Sequence, residues 1–367
     1  MNICVLTLQC IKNYGSVLQT YATQELLKSF FDDVEFIRFV RMDAMDEHML
    51  DIWTSGCSGA SKIVKKILLK PIYNKQIRVF HDFLEKYIQQ TEDTYYTESD
   101  FQTKRLEKDA YCVGSDQVWN STWNQGIFRP MYLSFAPEEK MKFAFCSSFG
   151  KTHLDVDEQR QVRPLLQRLH RISVREDSAL DVLDEMGIQD GEHVLDPTML
   201  LPREKWEAIC APRKIKEEYI LSYQLNENAD FDSFAYKLAK RKNMKLVHIG
   251  LTLRAKTKRG NVLMVPEVNE FLSLIRYASY VITDSFHGTA FSLTFNRQLL
   301  CIYPERFSTR LDSILRWAGI PDRRVTDYQD DTAADRRIDF TEINEKINQE
   351  RQKGQAFLQS IVQDMEK

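Results

Sequence analysis

The residues best equipped for chemistry in this chain cluster where apolar runs end. In Tyr280-Val-Ile-Thr-Asp284-Ser285-Phe286-His287-Gly288-Thr289 an apolar strand gives way to a short polar turn and then a helix. A helix start presents backbone N–H groups and the positive end of the helix dipole, which favour phosphate or carboxylate. Asp284, Ser285, Gly288 and Thr289 would line such a site, with Gly288 letting a ligand approach the backbone. His287 is placed to give the anion a proton or a hydrogen bond. The alternative is a capped helix with a structural histidine.

A second strand end, Tyr111-Cys-Val-Gly114-Ser115-Asp116-Gln117-Val118-Trp119-Asn120, offers a carboxylate. Asp116 there suits a general base toward a sugar hydroxyl. Trp119 and Trp123 offer flat rings for a sugar face, or else core tryptophans beside an aspartate cap. In Ile172-Ser-Val-Arg175-Glu176 the planar fork of Arg175 suits a carboxylate or phosphate ligand, or a salt bridge to Glu176 or another carboxylate. After the first strand, Asn13-Tyr14-Gly15-Ser16 faces the same edge; it lacks the G-x-G-x-x-G spacing of a dinucleotide loop. Weaker candidates are Ser147, Ser148, Gly150, Lys151 and His153 beyond the strand at 142–146, Arg310, and His248 as a core or edge histidine.

The elements that must hold these residues alternate strand and helix. Strands are expected at 2–9, 34–40, 110–113, 142–146, 172–174 and 193–195. The second half restarts with strands at 219–223, 245–249, 280–283 and 299–302. Helices are expected at 16–30, 61–90 (interrupted near Pro71), 156–170, 177–186, 230–240, 268–278, 288–295, 308–317 and 340–366. Such alternation implies parallel sheets covered by helices, and ligands at the carboxyl ends of the strands. The expected architecture is α/β: two doubly wound Rossmann-like lobes with a cleft between them. An N-terminal lobe would span 1–202 on the acceptor side, a C-terminal lobe 203–345 on the donor side, and a terminal helix 346–367.

Composition narrows the class. The chain has 367 residues, 43% of them hydrophobic, and a formal charge of −3, which gives no footprint for nucleic acid. No apolar run reaches the length of a membrane span, and the N-terminus reads as a strand rather than a signal peptide. Seven cysteines without a CxxC pair point to reduced, buried thiols in a cytoplasmic protein. Seven histidines without HxxxH or HExxH spacing give no built-in metal site. In 61–70, Lys62, Lys65, Lys66 and Lys70 recur at helical spacing opposite Ile63, Ile67 and Leu68. Such a helix either packs its apolar face under solvated lysines or rests peripherally on the inner face of an anionic membrane.

Five blocks together resemble the polysaccharide pyruvyl transferase family: Asn13–Gln19, Gly114–Asn120, Ile172–Glu176, Leu195–Thr198 and Thr283–Gly288. They occur in the family's order and cover most of 1–305. The resemblance implies a glycosyltransferase-B-like fold. It also implies phosphoenolpyruvate as donor substrate, no required cofactor, and a cyclic pyruvate ketal formed on a saccharide acceptor, lipid-linked in some systems. Carried over by position, Asp116 is similar to the family's acidic base, and Arg175 and His287 to its donor-binding and acid residues. Where many members have Arg-Leu-His-Gly, this chain has Ser285-Phe286-His287-Gly288. Arg310, Lys151 or the helix start would then supply the missing cation. The expected donor set is Arg175, Asp284, Ser285, Gly288, Thr289 and Arg310. The expected acceptor set is Asn13, Tyr14, Gly15, Ser16, Trp119, Asn120, Ser148, Lys151 and His153. Two other readings stay open: a nucleotide-sugar glycosyltransferase of the same fold, and a non-catalytic glycan-binding protein.

Overall fold

The computed structural model describes residues 1–304 and 309–367. Two parallel sheets organise the chain. The first contains β1 (Asn2–Leu6), β2 (Asp33–Phe39), β3 (Gln90–Tyr95), β4 (Ala110–Val113), β5 (Met141–Ser147), β6 (Arg171–Val174) and β7 (Gly191–His193), in the order β3-β2-β1-β4-β5-β6-β7. The second contains β8 (Tyr219–Tyr223), β9 (Lys245–Gly250), β10 (Asn261–Met264), β11 (Tyr280–Thr283) and β12 (Gln298–Cys301), in the order β10-β9-β8-β11-β12. Both are doubly wound. Strand order reverses between β1 and β4 in the first sheet and between β8 and β11 in the second, the positions where such sheets bind ligands.

The inner strands β1, β4, β5, β8 and β11 are short, largely apolar runs buried along their length, as crossover helices require. Cys4, Leu6, Tyr111, Val113, Ala144 and Ile172 meet in the first core, and Ile220, Leu246, Ile282 and Leu300 in the second. Two strands escape the sequence pattern: β3 and β10. Both lie at a sheet edge, where one flank needs no apolar neighbour; β3 is Gln-Thr-Glu-Asp-Thr-Tyr. No disulfide forms among the described residues, and Cys4, Cys112, Cys146 and Cys301 are buried strand residues whose thiols burial pushes up.

The chain divides into two compact units: 1–45, 81–201 and 348–367 in one, and 46–80 with 202–347 in the other. This differs from a linear partition. Residues 46–80 leave the first unit's sequence to join the second. The terminal helix Thr341–Met365 sends its end back into the first, where Phe357 stacks on Phe145 at 6.1 Å and Asp364 accepts from Arg171 at 2.8 Å. The helix Gly59–Tyr87 runs through Pro71 without the expected interruption. Pro71 is exposed, so the carbonyl left without a donor one turn earlier can face water. The helix expected from 308 is seen from Thr309; Ser308 lies outside the described residues.

Candidate active site

In the first unit, the carboxyl ends of β1, β4, β5, β6 and β7 deliver one buried polar cluster. The path out of β4 is tightly constrained. Gly114 has φ +113°, and a Cβ there would sit 2.4 Å from the Phe145 carbonyl oxygen. Asp116 follows with φ +75°, an uncommon conformation for a residue with a side chain. It is held by a bridge to Ser147, and its Oδ1 accepts from the Gln117 amide at 2.9 Å. Thr7, at the end of β1, donates to the Ser115 carbonyl at 2.7 Å and accepts from Gln19.

Two elements converge on Asp116, and a third on its partner Arg175. Asn13 caps the helix Tyr14–Leu27 by accepting from the Gly15 amide at 2.8 Å. In that helix's first turn, the Ser16 hydroxyl donates to Asp116 Oδ2 at 3.1 Å. From the end of β6, Arg175 donates from Nη2 to Asp116 Oδ1 at 3.2 Å and from Nη1 to Asp196 Oδ2 at 2.9 Å, and its Nε lies 3.4 Å from Glu176 Oε2. Asp196, after β7, is fixed by the Thr198 amide and hydroxyl at 3.0 and 2.7 Å. Ser148 donates to Glu176 Oε1.

Arg175 is therefore enclosed by three carboxylates. Burial disfavours its charge, but Asp116, Asp196 and Glu176 outweigh that and hold its pKa above the usual value. The sequence allows an anion-binding fork or a salt bridge to Glu176 or another carboxylate; the structure pairs Arg175 with Glu176, Asp116 and Asp196. Only 1% of its side chain is exposed, against 0% for Asp196, 6% for Glu176 and 13% for Asp116. Asp116 is the charged side chain of this group that most nearly reaches solvent. With three carboxylates around it, the Arg175 fork is already occupied. The sequence offers Glu176 only as a salt-bridge partner of Arg175 and Asp196 only within the Leu195–Thr198 block, and it assigns neither to the site.

Several expected acceptor contacts take other roles. Trp119 is 1% exposed, stacks on Tyr132, packs at a tilt against Phe149, and donates from its indole to the Met131 carbonyl at 2.8 Å, so it is core and offers no sugar platform. Asn120 is fully buried and ties the loop together, accepting from the Thr122 and Trp123 amides and donating to Gln117. Tyr14 is fully buried. Lys151 bonds Ser121 and Glu158. His153 is an exposed partner of Glu185 at 2.9 Å.

In the second unit, β11 delivers the other candidate segment. Asp284 accepts from the Leu225 and Asn226 amides at 2.7 and 2.8 Å and from the Asn226 side chain at 3.0 Å. It clamps the loop after β8 to the end of β11, across the strand-order reversal. Burial raises its pKa against the pull of those donors. Ser285 caps the helix Phe286–Thr294, accepting from the Gly288 amide at 3.2 Å. His287 is 8% exposed, edge-on to Phe286 at 5.2 Å. The Arg310 guanidinium lies 5.7 Å from the Phe286 ring centroid, which brings a cation beside the helix start.

Two donor-site expectations change here. Thr289 turns its hydroxyl back to the Ser285 carbonyl at 3.1 Å and to Cys301 Sγ at 3.4 Å. Gly288 is demanded by its own strand: a Cβ would meet Thr283 Oγ1 at 2.5 Å, so its role is packing rather than ligand approach. His248 is a buried strand residue bonded to the Arg259 carbonyl, and burial lowers its pKa. Among the described residues no cluster of three His, Cys, Asp or Glu side chains could hold a metal, and no helix is long and apolar enough to cross a membrane.

Comparisons with known proteins follow the same lines. A Staphylococcus aureus MnaA–UDP co-structure is 11% identical over 96% of this chain and 90% of that one, with a TM-score of 0.51. A UDP-N-acetylglucosamine 2-epimerase from Rickettsia bellii is 12% identical over 99% and 96%, at 0.43. Escherichia coli heptosyltransferase WaaC with ADP-2-deoxy-2-fluoro heptose is 10% identical over 83% and 89%, at 0.39. Such identities speak only of fold, and the two Rossmann-like lobes are glycosyltransferase-B-like. No curated protein matches the sequence. The family model described as polysaccharide pyruvyl transferase matches residues 13–306.

Proposed function

The chain belongs to the polysaccharide pyruvyl transferase family, and from that premise we propose that it transfers the enolpyruvyl group of phosphoenolpyruvate to a saccharide, forming a pyruvate ketal. The observation that carries this reading is Asp116, held by Ser16 and Arg175 at a strand-order reversal with its carboxylate the most exposed of the cluster. In the proposed reaction His287 delivers a proton to the methylene carbon, leaving C2 electron-poor. A sugar hydroxyl adds to C2 and gives its proton to Asp116. Phosphate leaves as the C2–O bond breaks, and a second hydroxyl of the same sugar adds to close the ring. Of the two hydroxyl protons, one balances that placed on the methyl group and the other leaves with phosphate. The reaction needs no cofactor.

Arg175 acts in this scheme by orienting Asp116, since its fork is already occupied by carboxylates. The donor's negative charge falls to the start of the Phe286–Thr294 helix and to Arg310, which supplies the cation absent at Ser285. The test is phosphate release, with mass detection of the ketal, from phosphoenolpyruvate and a galactoside. Asp116→Asn and His287→Gln should each lose most turnover, and Arg310→Met should raise the KM for phosphoenolpyruvate. Full turnover in the first two variants overturns the mechanism. A thermal shift with nucleotide sugars but none with phosphoenolpyruvate would favour a glycosyltransferase instead.

A further inference from the structure

Residues 59–80 contain five lysines, one arginine and no carboxylate, in a chain whose formal charge is −3. They form most of the helix Gly59–Tyr87 and belong to the second unit. One face is packed: Leu69, Ile72, Tyr73 and Gln76 are buried. Tyr73 meets Trp53 edge-on at 5.2 Å and donates to Asp46. Gln76 donates to the Leu251 carbonyl and Lys75 to the Met264 carbonyl, both at 2.7 Å.

The apolar residues of the first three turns are not on that face. Ile63, Val64, Ile67 and Leu68 are 62%, 56%, 66% and 58% exposed. At about 100° per residue their spacing forms one stripe, on the side of the helix away from Leu69, Ile72, Tyr73 and Gln76. The sequence allowed a packed apolar face beneath solvated lysines, and the structure reverses that arrangement. Lys62 and Lys66 reach Asp51 at 3.0 and 2.6 Å, fastening this end of the helix to Asp46–Trp53, where Ile52 is also exposed. Contiguous exposed aliphatic surface marks an interaction site.

We propose that residues 59–70 dock on an anionic lipid surface, with Ile63, Val64, Ile67 and Leu68 entering the acyl boundary and the exposed Lys65 and Lys70 meeting the headgroups. Charge selects this occupant. The segment is uniformly cationic, so a second copy pairing helix to helix would bring like charges together, whereas anionic headgroups complement it. The exposed stripe supplies the apolar half of the two signals that stable surface binding requires. This inference stands apart from the reaction, because none of these residues belongs to the candidate active site.

The experiment is sedimentation of the full chain with vesicles of phosphatidylcholine alone and of equal parts phosphatidylcholine and phosphatidylglycerol. Binding is expected to the anionic vesicles, to weaken with salt, and to fall about tenfold or more in Ile67→Ser/Leu68→Ser and in Lys65→Glu/Lys70→Glu. Thermal unfolding of both variants should match the parent, because the replaced side chains are exposed. Absence of binding to anionic vesicles overturns the proposal, as does equal binding to neutral vesicles or undiminished binding by the variants. A dimer that Ile67→Ser/Leu68→Ser dissociates, in a protein that ignores vesicles, would assign the stripe to self-association and overturn it as well.

Discussion

Arg175 Nη2 donates to Asp116 Oδ1 at 3.2 Å, joining the ends of β6 and β4 across the intervening β5. The same guanidinium meets Asp196 and Glu176, so one cation compensates three buried carboxylates. Arg175→Met removes that compensation and leaves the acids in low dielectric. It should cost about 3–5 kcal/mol of stability, measured by urea unfolding. Arg175→Lys keeps the charge but loses the fork that spans two carboxylates, and should fall between the parent and Arg175→Met.

Asp116→Asn should separate chemistry from folding. The amide keeps an acceptor for Ser16, and Arg175 keeps two carboxylates. Turnover should fall by about 10²–10⁴-fold, the range for losing a general base, while circular dichroism and saccharide affinity change little. A loss of folding in step with activity would make Asp116 structural.

The raised pKa of Asp284 predicts a pH dependence with a definite sign. A carboxyl whose folded pKa lies above its unfolded value stabilises the fold when protonated and loses that advantage as pH rises through the folded value. Asp284→Asn has no such titration, and its altered hydrogen bonding is constant with pH. The thermal midpoint of the variant minus that of the parent should therefore shift in the variant's favour as pH rises through the carboxylate range. A flat difference would mean that the Leu225 and Asn226 amides fully offset the burial of the charge.

Gly288→Ala should destabilise the second unit by about 1–3 kcal/mol, because the new methyl would overlap Thr283 Oγ1. Thr283→Ala opens that space while losing the bond to the Tyr223 carbonyl. The double variant should be more stable than the sum of the two single losses predicts, and a double-mutant cycle from denaturant unfolding measures the coupling. Simple additivity would return Gly288 to a ligand-facing role.

The two tryptophans of the β4 loop should part ways. Trp119→Ala should cost about 3–5 kcal/mol, as for a buried aromatic. Trp123, 49% exposed, should change stability far less on truncation. Equal losses in calorimetry would contradict the burial of Trp119.

Much of the architecture is written in local pattern. The strands at 110–113, 219–223 and 280–283 are legible residue for residue, because a strand covered on both faces must be an apolar run closed by polar residues. The positions of Asp116, Arg175 and His287 after their strands follow from the same pattern, and the Asn13–Gly288 blocks carry the family. Partnership is another matter. That Arg175 faces Asp196 depends on β7 lying beside β6, and that Gly288 is needed for Thr283 depends on how closely a helix settles on its strand. The exposure of Ile63 and Ile67 depends on which face of a helix finds a neighbour; periodicity marks the faces but not the one that is covered. Sequence determines which residues end each strand, since backbone hydrogen bonding and side-chain polarity act over a few neighbours. Only the tertiary structure decides which charges meet and which apolar faces stay bare, because burial and Coulomb energy depend on distances between segments far apart in the chain.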